Sequence, residues 1–139
     1  MSRGRKVGRG SKGARESAID SCVNVLDFEV LARKRMKRAF YDYYAGGAED
    51  ERTLDANCGA FGEIFLRPRV LVDVSRVETS TTALGVRVPA PILVAPTAFH
   101  RLAHPDGELA TARAAGAAGT IMVASTISSC SLEEIAQAA

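Results

Sequence analysis

The stretch "YDYYAGGAEDERTL", from Tyr41 to Leu54, sets three phenols within four residues, then two glycines and a run of acids. So much aromatic hydroxyl in one place reads either as the partly buried end of a helix or as the rim of a site. His100 and His104 are a second candidate group, four apart, the spacing at which one helix face can offer two imidazoles to a metal. Pro105 disfavours helical backbone at His104, and no ligand set is completed around the pair, so both are read as non-metal residues. The cysteines, Cys22, Cys58 and Cys130, are odd in number and show no C-x-x-C spacing. That arithmetic suits neither a disulfide framework nor a zinc site and points to a reducing compartment. No metal is expected.

The elements that must position these groups belong to a chain of 139 residues, 47% of them hydrophobic, within the usual range for one domain. No apolar run approaches the ~18–20 residues that cross a bilayer, so no membrane partner is expected. The net charge of +2 conceals an asymmetry, because "MSRGRKVGRGSKGARES" carries Arg3, Arg5, Lys6, Arg9, Lys12 and Arg15 against Glu16. The rest of the chain is mildly acidic. Residues 1–19 are read as a disordered basic tail, too poor in apolar side chains to offset the entropy of ordering. A nucleic-acid arm and an organelle transit segment are the competing readings. The tail lacks aromatics for base stacking and shows no amphipathic period, so no nucleic-acid partner is assigned.

From Ser21 to Tyr44 the pattern is helical, with Val25, Phe28, Leu31 and Met36 opposite the basic face of "ARKRMKRAF". Gly46 and Gly47 stop it, and a second helix is expected from Glu51 to Phe61. "IFLRPRVLVDV" has a β texture, and "TSTTALGVRVPA" alternates like two short strands around a turn at Gly85. The apolar run from Pro91 to Ala95 then reads as a strand buried on both faces, as in a parallel sheet. "HPDGELATARAAGAAG" reads as a helix with Asp106 and Glu108 in its first turn, ended by Gly119. "TIMVAS" is a second buried strand, and "SCSLEEIAQAA" opens a helix through a capping box of Ser131 and Glu134. Strand, helix, strand, helix is the α/β rhythm. Two parallel strands cannot complete a sheet, so the chain reads as the opening of something longer.

In that order and spacing, "YDYYAGGAEDERTL", "FLRPRVLVDVS", "APTAFHRLAHPDGELATARAAGAAGT" and "SLEEIA" resemble the amino-terminal part of the FMN-dependent 2-hydroxy-acid oxidases and dehydrogenases. The group includes glycolate oxidase, lactate oxidase, mandelate dehydrogenase and flavocytochrome b2, and the likeness runs from Val23 to Ala139. It implies an α/β fold: an incomplete (β/α)8 TIM barrel over residues 20–139, with helices and a β-hairpin preceding the first two βα units. It also implies FMN as cofactor, a small 2-hydroxy acid as substrate and, as often in the family, a homotetramer.

The resemblance assigns roles by motif position. Tyr43 is implied to hydrogen-bond the substrate carboxylate, a task suited to a phenol, which donates without adding charge. Pro96, Thr97 and Ala98, in "APTA" after the first strand, are implied to lie beside the flavin ring, and Ser125, after the second strand, to hydrogen-bond it. Ile127 departs from the tryptophan typical of glycolate oxidases, and an aliphatic side chain there leaves room for a larger 2-substituent.

None of these residues is a catalytic base. The family's histidine base, its carboxylate-fixing arginines, its flavin-stabilising lysine and its phosphate-binding loops come from later barrel strands, and neither His100 nor His104 matches the base's motif. The chain alone is therefore expected to be inactive and to hold FMN weakly. The alternative is a short, non-catalytic product or interaction module derived from the family. Compartment stays open, peroxisomal or cytoplasmic, since "AQAA" carries no peroxisomal address.

Overall fold

The computed structural model describes residues 18–139, and these fall into two units that divide after Gly46. The expected basic tail lies outside the described residues as far as position 17, while 18–20 already form a helical turn.

In the first unit, helix α1 (Val25–Arg35) starts on a capping box. The Asn24 side chain accepts from the Asp27 amide at 3.1 Å, and the Asp27 carboxylate accepts from the amides of Val23 and Asn24. Two of the orphan donors at the helix start are thereby satisfied. Helix α2 (Arg38–Ala45) follows at once. The single helix expected from Ser21 to Tyr44 is therefore broken, because Met36 and Lys37 are extended, with ψ of 152° and 139°. The break lets α2 turn back on α1. The Arg33 guanidinium lies over the Tyr41 ring at 5.7 Å, and the Tyr41 hydroxyl donates to Glu29.

In the second unit, α3 (Arg52–Gly59) tightens into a 3₁₀ turn (Ala60–Glu63), matching the expected helix to within two residues. "IFLRPRVLVDV" forms no strand and stays exposed. Its β texture has no partner to pair with among the described residues. The hairpin is as read, with β1 (Thr81–Ala83) antiparallel to β2 (Val86–Val88). Leu84 and Gly85 in the turn both have positive φ, 50° and 81°, as the tight hairpin turn that matches strand twist requires.

The two expected buried strands are reduced to one parallel bridge, Val94 with Met122. Val94 donates to Ile121 and Val123 donates back to Val94, at 2.9 and 3.0 Å. The expectation of burial on both faces is corrected, since Ile92 is 73% exposed and Leu93 and Val123 are each 40% exposed. Burial of a parallel strand needs strands beside it and helices above and below, and the described residues supply only part of that shell.

Between the bridged segments run α4 (His100–Ala103) and α5 (Gly107–Ala117), and α6 (Leu132–Ala138) follows the second. Ser131 accepts from the Glu134 amide and Glu134 accepts from the Ser131 amide, the capping box read in the sequence. Helices α5 and α6 enclose the unit's small core of Ala112, Cys130 and Ile135, flanked by Leu109, Met122, Ala124 and Ala138. Gly107 lets α4 lie close against the start of α5. Its φ is 53°, and a Cβ there would come within 2.8 Å of the Arg101 side chain.

Candidate functional site

The site in the second unit is built from the two segments that leave the parallel bridge. Ala95, Pro96 and Thr97 follow Val94 without regular structure, Pro96 and Thr97 exposed and Ala98 half-buried. Phe99 then takes φ 53° and ψ 45°, a left-handed conformation costly for a bulky residue. In that conformation its amide donates to the Ile127 carbonyl at 3.2 Å. The segment after Met122 reaches Ser125, which is half-buried. The Ser125 hydroxyl accepts from the Ile127 amide at 3.2 Å, and its carbonyl accepts from the Ser128 hydroxyl at 2.8 Å. These contacts fold residues 125–128 into a tight turn in which the Ser125 oxygen acts as an acceptor, leaving its proton for another partner.

A second line of contacts lies beneath. Glu108 is fully buried, and one of its oxygens, Oε1, accepts from the amides of both His100 (3.2 Å) and Ser129 (2.7 Å). Burial alone would raise the carboxyl pKa. The amide of Ser129, its own amide, the Cys130 thiol beside it and the amide of His100 outweigh that and hold it at about 2, against an ordinary 4.5. Burial, and then the neighbouring Glu108, push the Cys130 thiol upward. Arg101 completes the seam, its amide donating to the Ser129 hydroxyl at 3.2 Å.

The two histidines are engaged locally. His100 Nδ1 lies 3.1 Å from the Thr111 hydroxyl, and His104 Nδ1 accepts from the Asp106 amide at 3.2 Å. Among the described residues no group of three or more His, Cys, Asp or Glu side chains is placed to hold a metal.

The structure thus brings the segment of Pro96, Thr97 and Ala98 alongside that of Ser125. Tyr43 belongs to the other unit. It lies in α2, half exposed at 51%, with its ring edge-on to that of Tyr44 at 5.3 Å between centroids. Sequence reasoning missed Glu108 as more than a first-turn acid, and it missed Phe99 and Ser129 altogether. For Glu108 the available signal was weak: an acid beside a glycine at a helix start, which an exposed capping residue would share.

A family model described as FMN-dependent dehydrogenase matches residues 32–139. The chain belongs to the FMN-dependent dehydrogenase family. It is 53% identical over 118 residues to the peroxisomal (S)-2-hydroxyacid oxidase GLO4 of Arabidopsis thaliana, covering 85% of this chain and 32% of that one. It is likewise 53% identical over 113 residues to glycolate oxidase 1 of Zea mays, covering 81% and 31%. Among solved structures, mandelate oxidase matches with a TM-score of 0.81 at 43% identity, covering 85% of this chain and 34% of that one. The flavin-binding domain of baker's yeast flavocytochrome b2 matches at 0.82 and 40%, covering 87% and 32%. The chain spans about a third of the length of these relatives and matches the amino-terminal portion of family members.

FMN is the cofactor of this FMN-dependent dehydrogenase family. The donor set of the paired segments suits one part of it. Hydroxyls such as those of Thr97 and Ser125 are of a kind that would suit the carbonyl and nitrogen edge of a flavin ring. A phosphate calls for cations or a helix start, and Arg101, the cation at this seam, is turned to the Ser129 carbonyl.

Proposed function

We propose that this chain, an incomplete (β/α)8 barrel, supplies the first two βα units of a barrel that oxidises an (S)-2-hydroxy acid to the 2-oxo acid with FMN. One observation carries the reading. The segments leaving the parallel bridge at Val94 and Met122 are stitched together at Phe99 and Ile127. They form one polar edge on the carboxyl side of the strands, where barrel enzymes build their sites. Family membership supplies the chemistry that such an edge serves.

In this reading the backbone from Pro96 to Ala98 and the hydroxyl of Ser125 hold one side of the flavin ring, which when bound takes up the two electrons of the oxidation. Main-chain donors fixed in place at that edge favour negative charge developing on the ring. The Tyr43 hydroxyl donates to the substrate carboxylate. Ile127, 51% exposed, leaves space for a 2-substituent larger than that of glycolate. None of these residues takes the proton of the substrate's 2-hydroxyl or anchors the FMN phosphate. The 139-residue polypeptide by itself is therefore without turnover and holds FMN weakly.

The first experiment is the size of the native gene product in its own cells, read by mass spectrometry of peptides from this segment, with FMN content measured on the purified product. A product more than twice this length that carries FMN supports the reading. A product of this length without flavin overturns it in favour of a non-catalytic module.

A further inference from the structure

We infer that Glu108 is a positioning residue for the flavin-facing edge, its buried carboxylate fixing the segment after the first strand against the segment after the second. The inference rests on the FMN reading above and adds to it a residue that touches neither ring nor substrate.

Three observations carry it. Glu108 Oε1 accepts from the amides of His100 and Ser129, 8 and 21 positions away along the chain, so one atom joins two loops. His100 lies two residues beyond Ala98, and Ser129 lies four beyond Ser125, so the tether joins the two segments proposed to face the ring close to those residues. The Phe99 to Ile127 bond and the Arg101 to Ser129 bond run alongside it. The carboxylate is fully buried, and its second oxygen, Oε2, has no hydrogen-bond partner among the described residues. The donors around the carboxylate outweigh its burial and keep it ionised. What the carboxylate supplies beyond that is direction, since two amides of separate loops must point at one oxygen.

The decisive comparison is native gene product against its Glu108→Gln variant, both purified free of flavin and titrated with FMN. Flavin fluorescence gives the affinity, and the absorption spectrum of the bound flavin reports the placing of donors around the ring. The variant is expected to bind FMN on the order of tenfold more weakly, the worth of a charge-assisted hydrogen bond. Its bound-flavin spectrum is expected to shift, which a purely stabilising role would not cause. Equal affinity and an unchanged spectrum would overturn the role of Glu108 while leaving the flavin reading intact. Failure of the unaltered protein to bind FMN would overturn the flavin reading, and this inference with it. Where the variant does not fold, amide exchange in the unaltered protein decides. The amides of His100 and Ser129 should gain protection together when FMN is added, and no change in either would refute the tether.

Discussion

The Tyr41 hydroxyl donates to Glu29 Oε1 at 2.7 Å, joining α1 to α2 across the break between them. That hydrogen bond, then partial desolvation and the nearby carboxylate charge, raise the phenol's pKa above its ordinary value. One tyrosine of the "YDYY" cluster is thus committed to holding its own unit together.

Tyr43 and Tyr41 should therefore respond differently to loss of the hydroxyl. In the native gene product, Tyr43→Phe is expected to raise KM for the 2-hydroxy acid about tenfold, the worth of one hydrogen bond to a charged group. FMN affinity should stay unchanged. Tyr41→Phe should leave KM alone and cost little stability, as the loss of an exposed pairing does. Steady-state kinetics on both variants checks this, and equal KM changes would sink the assignment of Tyr43.

Stability should depend on pH through Glu108. Its folded pKa, about 2, lies below its ordinary 4.5. The contribution is therefore fully present above about pH 4.5 and is lost as pH falls toward 2. Urea midpoints of the native gene product should fall through that window. The Glu108→Gln variant should show a flatter profile there, and parallel slopes for the two proteins would contradict the assignment.

Ile127 is the position at which substrate size should be tunable. Ile127→Trp fills space at the turn that follows Ser125, so preference should move toward the smallest 2-hydroxy acids. The ratio of kcat/KM for glycolate over a longer-chain 2-hydroxy acid is expected to rise about tenfold, within the range that apolar pocket volume can supply. No change in that ratio would place Ile127 outside the substrate's reach.

Ser131→Ala should cost about 1 kcal/mol, the usual worth of an N-cap. The cap starts α6, whose Ile135 closes the core against Ala112 and Cys130. Faster exchange of the Glu134 amide is the direct measurement, since that amide donates to the lost hydroxyl. Unchanged exchange would mean that water or another acceptor replaces it.

Features written in short-range chemistry were legible in the sequence. The Ser131 and Glu134 box and the turn at Gly85 each rest on residues a few positions apart, and both formed as read. The break at Met36 and Lys37 was not legible, because "ARKRMKRAF" contains no glycine or proline and every residue in it tolerates a helix. The turn of α2 back onto α1 decides that point. The apolar run from Pro91 to Ala95 was expected to be a strand, but only the bridge at Val94 forms, because pairing and burial there depend on neighbouring strands. The candidate site divides in the same way. The roles proposed for Thr97 and Ser125 come from motif position, whereas motif position assigned none to Glu108, since spacing alone does not say whether an acid at a helix start turns outward or inward.

The tether at Glu108 also bears on the order in which the newborn polypeptide takes shape. Its two bonds close loops of 8 and 21 residues. The entropy lost in closing a loop rises only slowly with length, and such short-range closures precede distant pairings. Pulse-labelled exchange during refolding should find the Ser129 amide protected in the earliest phase; late protection would contradict this order. The polar edge would then be set while the exposed flanks at Ile92 and Val123 are still waiting for cover, so the site is among the first things this chain builds.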